Sequence, residues 1–221
     1  MLKKLLSYLI PIKIHKVNSA LSKTIEITWA NGELVLDSQN TNYSYGSLQR
    51  ILRKGLNHIG FQKIAKMEHI LVLGVAGGSV IKTLVDEINF KSKITGVEID
   101  PDIIAIANTY FKLNEIENLE IIIDDAFEFV LKTKDKYDLI IIDIFQDTTM
   151  PNFLFEKYFV NRICYLLKSK GIVLFNTMCL TAGHNFRNQN YIKNFNDFNF
   201  KIHSIPRIEE HNELIIIEKL V

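Results

Sequence analysis

The sequence predicts an α/β protein: a doubly wound, seven-stranded and mostly parallel sheet, preceded by a small N-terminal helix plus β-hairpin unit. Three observations lead there. From residue 69 to 177, apolar β-branched runs alternate with helical segments, the pattern of parallel strands joined by right-handed crossovers with helices on both faces. Within that stretch LVLGVAGGSV (71–80) runs from an apolar strand through small residues into a helix, and Glu98 closes the following strand 20 residues after Gly78. The tail then changes to KIHSIP (201–206) and ELIIIEKL (213–220) around a polar turn at Glu209 to Asn212, which would place one antiparallel strand in the sheet.

Taken in order, MLKKLLSYLI reads as a short amphipathic helix that docks on the domain or on a partner subunit, as in a homodimer, with peripheral membrane contact as the alternative. Pro11 and Lys13 interrupt its apolar run, which falls far short of the ~20 residues of a membrane span, and no small-residue cleavage site follows. Neither stable membrane insertion nor a signal peptide is expected. Segments 12–17, 24–30 and 33–37 alternate apolar and polar residues, and Asn31-Gly32 is a strong hairpin signal. Leu48, Ile51, Leu52, Leu56 and Ile59 recur at helical spacing, predicting a helix over 44–60. A boundary near 62–68 would divide residues 1–65 from a main domain at 66–221. Strands are then expected at 69–74, 93–98, 119–123, 138–143 and 171–177, with helices at 78–89, 101–113, 126–132 and 152–168 between them and another around 185–197.

Composition narrows the function classes. With 48% hydrophobic and 23% charged residues over 221 positions, the chain can build its own core. Basic and acidic residues balance at 26 to 25, so no global field favours nucleic acid, and none is expected as a partner. Cys164 and Cys179 form no CxxC pair or Cys/His cluster, which predicts no metal site and fits a reducing, cytoplasmic compartment.

In an open parallel sheet, ligands bind beyond the carboxyl ends of the strands. Those ends carry Gly74, Gly77 and Gly78; Glu98 with Ile99 and Asp100; Asp124, Asp125 and Ala126; and Asp143 with Asp147. The glycines let backbone N–H groups approach a ligand at a helix start, or serve only as packing devices. Glu98 could accept hydrogen bonds from both hydroxyls of a ribose, so the pair proposes a nucleoside-bearing cofactor. Asp100, before Pro101, reads as a helix cap. Asp125 is either a cap or the acceptor for an adenine amine. Asp143 ends the apolar strand YDLIIID, where a charge is costly without a partner or a task, and a catalytic or substrate-anchoring role is expected. GVAGGS lacks the G-x-G-x-x-G spacing of nicotinamide dinucleotide sites.

The order LGVAGGS, VEID, DDAFEF and DLIIID resembles the class I S-adenosylmethionine-dependent transferases, and specifically the spermidine synthase (polyamine aminopropyltransferase) family. The likeness extends over roughly residues 24–178, including LVLDSQ, NYSYGSLQRIL and DIFQDTTMP. It implies a Rossmann-like sheet of the class I methyltransferase kind, with S-adenosylmethionine or its decarboxylated form as co-substrate and a small amine acceptor, such as a polyamine. It also implies that Gly74 and Gly78 line the amino-acid end of the co-substrate, with Gly77, Ile99 and Ala126 beside it, and that Glu98 holds the ribose. By the same likeness Asp125 reads adenine, Gln39 contacts the co-substrate, Asp143 is the catalytic aspartate, and Tyr45 lines the acceptor pocket. Two departures stand out: Gly77 replaces an aspartate of the glycine loop, and Gln146, with Asp147 next to it, replaces a second acidic residue. A pocket without two carboxylates loses much of its attraction for a dication.

Aminopropyl transfer would need Asp143 to take a proton from the attacking amine, with Tyr45 or Asp147 assisting. Two alternatives stand beside it. Methyl transfer from intact S-adenosylmethionine uses the same contacts, and Gly77 removes a negative charge that would repel the carboxylated co-substrate. The other alternative is a nucleotide-binding module without catalysis.

Overall fold

The computed structural model describes residues 2–38, 42–145, 149–196 and 198–221. The expected alternation from 69 onward is present. Strands β5 (His69–Leu73), β6 (Lys93–Glu98), β7 (Leu119–Ile123), β8 (Tyr137–Ile142), β9 (Leu167–Met178), β10 (Phe200–Ile208) and β11 (Asn212–Lys219) form a seven-stranded sheet. Its order is β10-β11-β9-β8-β5-β6-β7, with β11 running against both neighbours and the other contacts parallel. Side chains alternate across it as period two requires. Ile70 and Val72 enter one core with Leu52, Leu56, Ile81 and Leu84, while Leu71 and Leu73 enter the other with Val130, Phe159, Ile163 and Tyr191.

The first of these cores is covered by α2 (Gly46–Ile59) and α4 (Ser79–Lys82), the latter running into a π-helical turn at Thr83–Glu87. Helices α6 (Ala126–Lys132), α7 (Lys157–Leu166) and α8 (Ala182–Ile192) cover the second. The predicted helices at 152–168 and 185–197 differ in extent. Residues Asn152–Phe155 form a separate 3-10 turn, the strand after α7 begins at Leu167, and α8 starts early because Thr181 caps it by accepting the His184 N–H at 3.1 Å.

Ahead of the main sheet lies a short helix, α1 (Leu2–Leu6), and a four-stranded antiparallel sheet: β1 (Ile12–Ser19), β2 (Lys23–Ala30), β3 (Glu33–Ser38) and β4 (Asn42–Ser44). The Asn31-Gly32 hairpin joins β2 to β3 as expected, and both residues adopt positive φ (49° and 80°). The three-residue strand β4 was not legible, being too short to show a period. Helix α5 (Pro101–Phe111) sits between the two sheets. Its Ile104 and Ala107 face the main core, and its Ile103, Ile106 and Phe111 face Ile25, Ile27 and Leu36 of the small sheet. A short 3-10 helix at Leu113–Glu115 follows α5, and α3 (Phe61–Ile64) follows α2.

Close approach of α2 to the sheet depends on Gly55. A Cβ there would lie 2.6 Å from Leu174 Cδ1 and 2.9 Å from Leu214 Cδ1, in a fully packed core. Gly55→Val should therefore destabilise the fold by about 1–3 kcal/mol through overpacking, read as a lower urea midpoint with an unchanged slope. An unaltered midpoint would show that the interface yields freely.

Candidate active site

A cavity of about 980 Å³ opens along the carboxyl ends of the strands. Its two halves follow the strand order. Gly74 and Ala76 after β5, Glu98 and Ile99 after β6, and Asp124, Asp125 and Ala126 after β7 form one half. Thr149, Met178 and Leu180, with Glu209, His211 and Asn212 of the β10–β11 turn, form the other. Asp143, after the central strand β8, stands between them.

In the first half the loops are fastened by Glu98. Its Oε2 accepts the N–H groups of Val75 (3.1 Å) and Ala76 (3.0 Å), and its Oε1 those of Ile99 (2.9 Å) and Asp100 (3.1 Å). Burial pushes the Glu98 pKa up, against the pull of these four donors. They occupy all of the carboxylate's roughly four acceptor positions, so a ribose reaching Glu98 must displace backbone donors. Asp100 is 1% exposed and caps α5 through the Asp102 N–H at 3.0 Å. Its Oδ2 accepts the Ser19 and Ser22 hydroxyls, each at 2.5 Å. Burial raises the Asp100 pKa, but these hydroxyls and the backbone N–H groups prevail and hold it below the usual range. The cap reading for Asp100 is thus realised, and it also ties the small sheet to the site. Asp125 caps α6 as well, its Oδ1 accepting the Phe127 N–H at 2.7 Å, while the residue lines the cavity.

The glycines divide. Gly74 adopts φ 86°, and a Cβ there would lie 2.2 Å from the Asp143 carbonyl oxygen, so only glycine allows the β5 and β8 ends to come together at the cavity floor. Gly77 and Gly78 do not line the cavity. A Cβ at Gly77 would meet Ser44 at 2.8 Å and one at Gly78, with φ 79°, would meet Leu113 at 2.4 Å. At these two positions the small residues serve packing. Tyr45 also lies off the cavity wall: its ring stacks on Phe111 with centroids 4.3 Å apart, and burial raises its pKa. Gln39, Gln146 and Asp147 fall outside the described residues.

Asp143 keeps part of its surface open to the cavity. Burial drives its pKa up to about 7, opposed by a hydrogen bond from Asn176 Nδ2 (2.9 Å) and reinforced by the nearby charge of Glu98. Asn176 is fully buried, and its own Oδ1 accepts from Asn212 Nδ2 at 3.0 Å, which fixes the amide with its NH₂ toward Asp143. This chain from Asn212 through Asn176 to Asp143 was missed in the sequence. The available signal was a lone asparagine inside the apolar run GIVLFNTM. Its relation to Asp143 needs the β8–β9 register, in which Ile142 faces Phe175. Among the described residues there is no cluster of three or more metal-ligating side chains, and no helix is long and apolar enough to cross a membrane.

Comparison with known proteins gives the family and the fold. The Spermine/spermidine synthase domain profile matches residues 50–219, most of the chain. The chain belongs to the spermine/spermidine synthase family. A curated relative, the polyamine aminopropyltransferase of Vibrio vulnificus, is 33% identical over 141 residues, covering 62% of this chain and 47% of that protein. The chain spans about half the length of the curated aminopropyltransferases it matches first. Among solved structures, a spermidine synthase in complex with the transition state analogue AdoDATO superposes with a TM-score of 0.71 at 18% identity, over 94% of this chain and 74% of the other. Human methyltransferase-like protein 13 in complex with SAH superposes with a TM-score of 0.65 at 22% identity, over 80% and 83%. These two likenesses show the fold, the class I methyltransferase-like sheet common to spermidine synthases and methyltransferases.

The Asp143 environment makes a thermodynamic prediction within this spermidine synthase frame. An aspartate titrates near 3.9 in an unfolded chain and at about 7 in this fold. Between those values the folded state holds the extra proton, so this group's contribution to stability is complete below pH ~4, is lost as pH rises toward 7, and stays lost above it. Asp143→Asn does not titrate. Its stability relative to wild type should therefore rise across that window by on the order of a few kcal/mol, measured by urea unfolding from pH 4 to 8. Parallel curves would show that Asp143 is not perturbed.

Proposed function

We propose that the protein is an aminopropyltransferase that moves the aminopropyl group of decarboxylated S-adenosylmethionine to a small amine, with Asp143 as the base. One observation carries this reading: a carboxyl whose pKa is raised to about 7 stands where the two halves of the cavity meet. An amine with a lysine-like pKa of about 10 is protonated at neutral pH and cannot attack until it loses a proton. A carboxylate made more basic by burial is better suited to take that proton than an ordinary one. The amine nitrogen then forms a bond to the carbon beside the sulfonium, the C–S bond breaks with its electron pair moving to sulfur, methylthioadenosine leaves, and Asp143 carries the proton.

The nucleoside would occupy the half shaped by Gly74, Glu98, Ile99, Asp125 and Ala126, and the acceptor the half between Met178 and the β10–β11 turn. Asp125 can serve both as a cap and as a reader of adenine, since its cap uses Oδ1 alone among the contacts found. Glu98 would meet ribose hydroxyls by giving up backbone donors. Asn176 would hold the Asp143 carboxylate in line for the amine. The matched family and the aminopropyltransferase relatives support the reading.

A second reading, methyl transfer from intact S-adenosylmethionine, is favoured by one feature. The Gly77 position is filled by Ser44 and Tyr45, leaving no room for a carboxylate that would repel the carboxylated co-substrate. Calorimetric titration with both forms separates the two. Tighter binding of the decarboxylated form is expected, and tighter binding of the intact form would overturn aminopropyl transfer in favour of the methyltransferase.

For the base itself, Asp143→Asn should bind co-substrate nearly normally and lose turnover by at least about 10². In wild type, kcat/KM should rise with pH through a midpoint near 7, because the ionised carboxylate is the active form. Full turnover in the variant, or a wild-type profile flat from pH 5.5 to 8, would refute the assignment.

A further inference from the structure

We propose that Asn212 is a positioning residue for the base: it holds the Asn176 amide in the orientation that donates to Asp143, and so favours the ionised carboxylate. The inference rests on the reading of Asp143 as the base and adds the residue that sets its protonation.

Asp143 has little else to hold a negative charge. Among the described residues the cavity wall carries no lysine or arginine, and its titratable groups besides Asp143 are Glu98 after β6, Asp124 and Asp125 after β7, and Glu209 and His211 of the β10–β11 turn. Burial and the charge of Glu98 both oppose ionisation, and the hydrogen bond from Asn176 Nδ2 works against them. The state of the base therefore turns on which end of one amide faces it.

The two ends of an amide favour opposite states of a carboxyl. The NH₂ donates to a carboxylate but gives the O–H of a carboxylic acid no acceptor, whereas the C=O accepts that O–H and repels the carboxylate. Asn176 is fully buried on β9, so its far end needs a partner too. Asn212 supplies it: its Nδ2 donates to Asn176 Oδ1 at 3.0 Å, which commits the Asn176 carbonyl to β11 and leaves the NH₂ for Asp143 at 2.9 Å.

The sheet register puts Asn212 in place for this. Strand β11 pairs antiparallel with β9, Leu214 opposite Asn176 and Asn212 opposite Met178, so Asn212 is the diagonal neighbour of Asn176 on the same face. Beside it the Cys179 N–H donates to the His211 carbonyl at 2.8 Å and fixes the backbone where β11 begins. Asn212 itself is half-buried at the cavity edge, so truncating it leaves both hydrophobic cores filled.

Carboxyl-carbon NMR of full-length, aspartate-labelled protein reads Asp143 directly, with Asp143→Asn to assign its signal. In Asn212→Ala the titration midpoint should rise by about half a pH unit or more, as expected for weakening one hydrogen bond to a charged group. The midpoint of kcat/KM with decarboxylated S-adenosylmethionine and 1,4-diaminobutane should move with it. In an Asn176→Ala background the same substitution should move neither, because the two residues act through one amide. An unchanged midpoint in Asn212→Ala, or a shift that persists without the Asn176 side chain, would overturn the proposal. So would a raised KM with both midpoints in place, which would make Asn212 an acceptor contact only. If Asn176→Ala does not fold, the NMR midpoint of Asn212→Ala alone decides. A wild-type protein that transfers to no amine would overturn the aminopropyl reading, whereas an active wild type whose Asp143 midpoint ignores Asn212→Ala removes only this inference.

Discussion

The buried carboxylate of Glu98 organises both the site and the attachment of the N-terminal sheet. One side chain closes two loops at once, accepting from Val75 and Ala76 after β5 and from Ile99 and Asp100 after β6. Fixing Asp100 fixes the start of α5, and the free oxygen of Asp100 then binds Ser19 and Ser22 at the β1–β2 end of the small sheet. Helix α5 completes the junction by offering apolar residues to both sheets. Removing the Glu98 carboxylate would take the partner from four backbone donors, of which the buried N–H groups of Val75 and Asp100 would each cost about 1–3 kcal/mol if left unpaired, and would loosen the cap on which the second sheet leans.

Much of this was legible because strand periodicity and strand-end chemistry coincide. A continuous apolar run such as LIII in YDLIIID reports a strand buried on both faces, and the first polar residue after it marks the rim where ligands bind. By that rule Gly74, Glu98, Asp125 and Asp143 are found together on one cavity from the sequence alone. The rule fails where a position's meaning depends on a distant partner. Gly77 and Gly78 look like ligand-facing glycines until Ser44 and Leu113 occupy the space beside them. Tyr45 looks like a pocket residue until its ring is found against Phe111. Asn176 and Asn212 carry no local pattern, because their connection to Asp143 is made across three neighbouring strands.

The strand order also divides the chemistry. Strands β5, β6 and β7 bring small residues and backbone-bound carboxylates to one half of the cavity. Strand β9 and the β10–β11 turn bring Met178, His211, Asn212 and an ion-paired Glu209 to the other half. Asp143 lies at their seam, where burial by both halves raises its basicity. The same desolvation that makes the ionised residue costly to the fold makes its carboxylate a stronger base.

Strand β10 forms one edge of the main sheet, and its pairing with β11 slips between Ile205 and Ile208, around Pro206. Proline has no N–H to offer, and a slipped register turns the neighbouring donors and acceptors out of line. A foreign strand arriving at this border therefore meets a broken ladder where it would need a continuous one. The irregularity thus guards the sheet against growth by addition of further chains, and smoothing that border would invite fibrillar self-association.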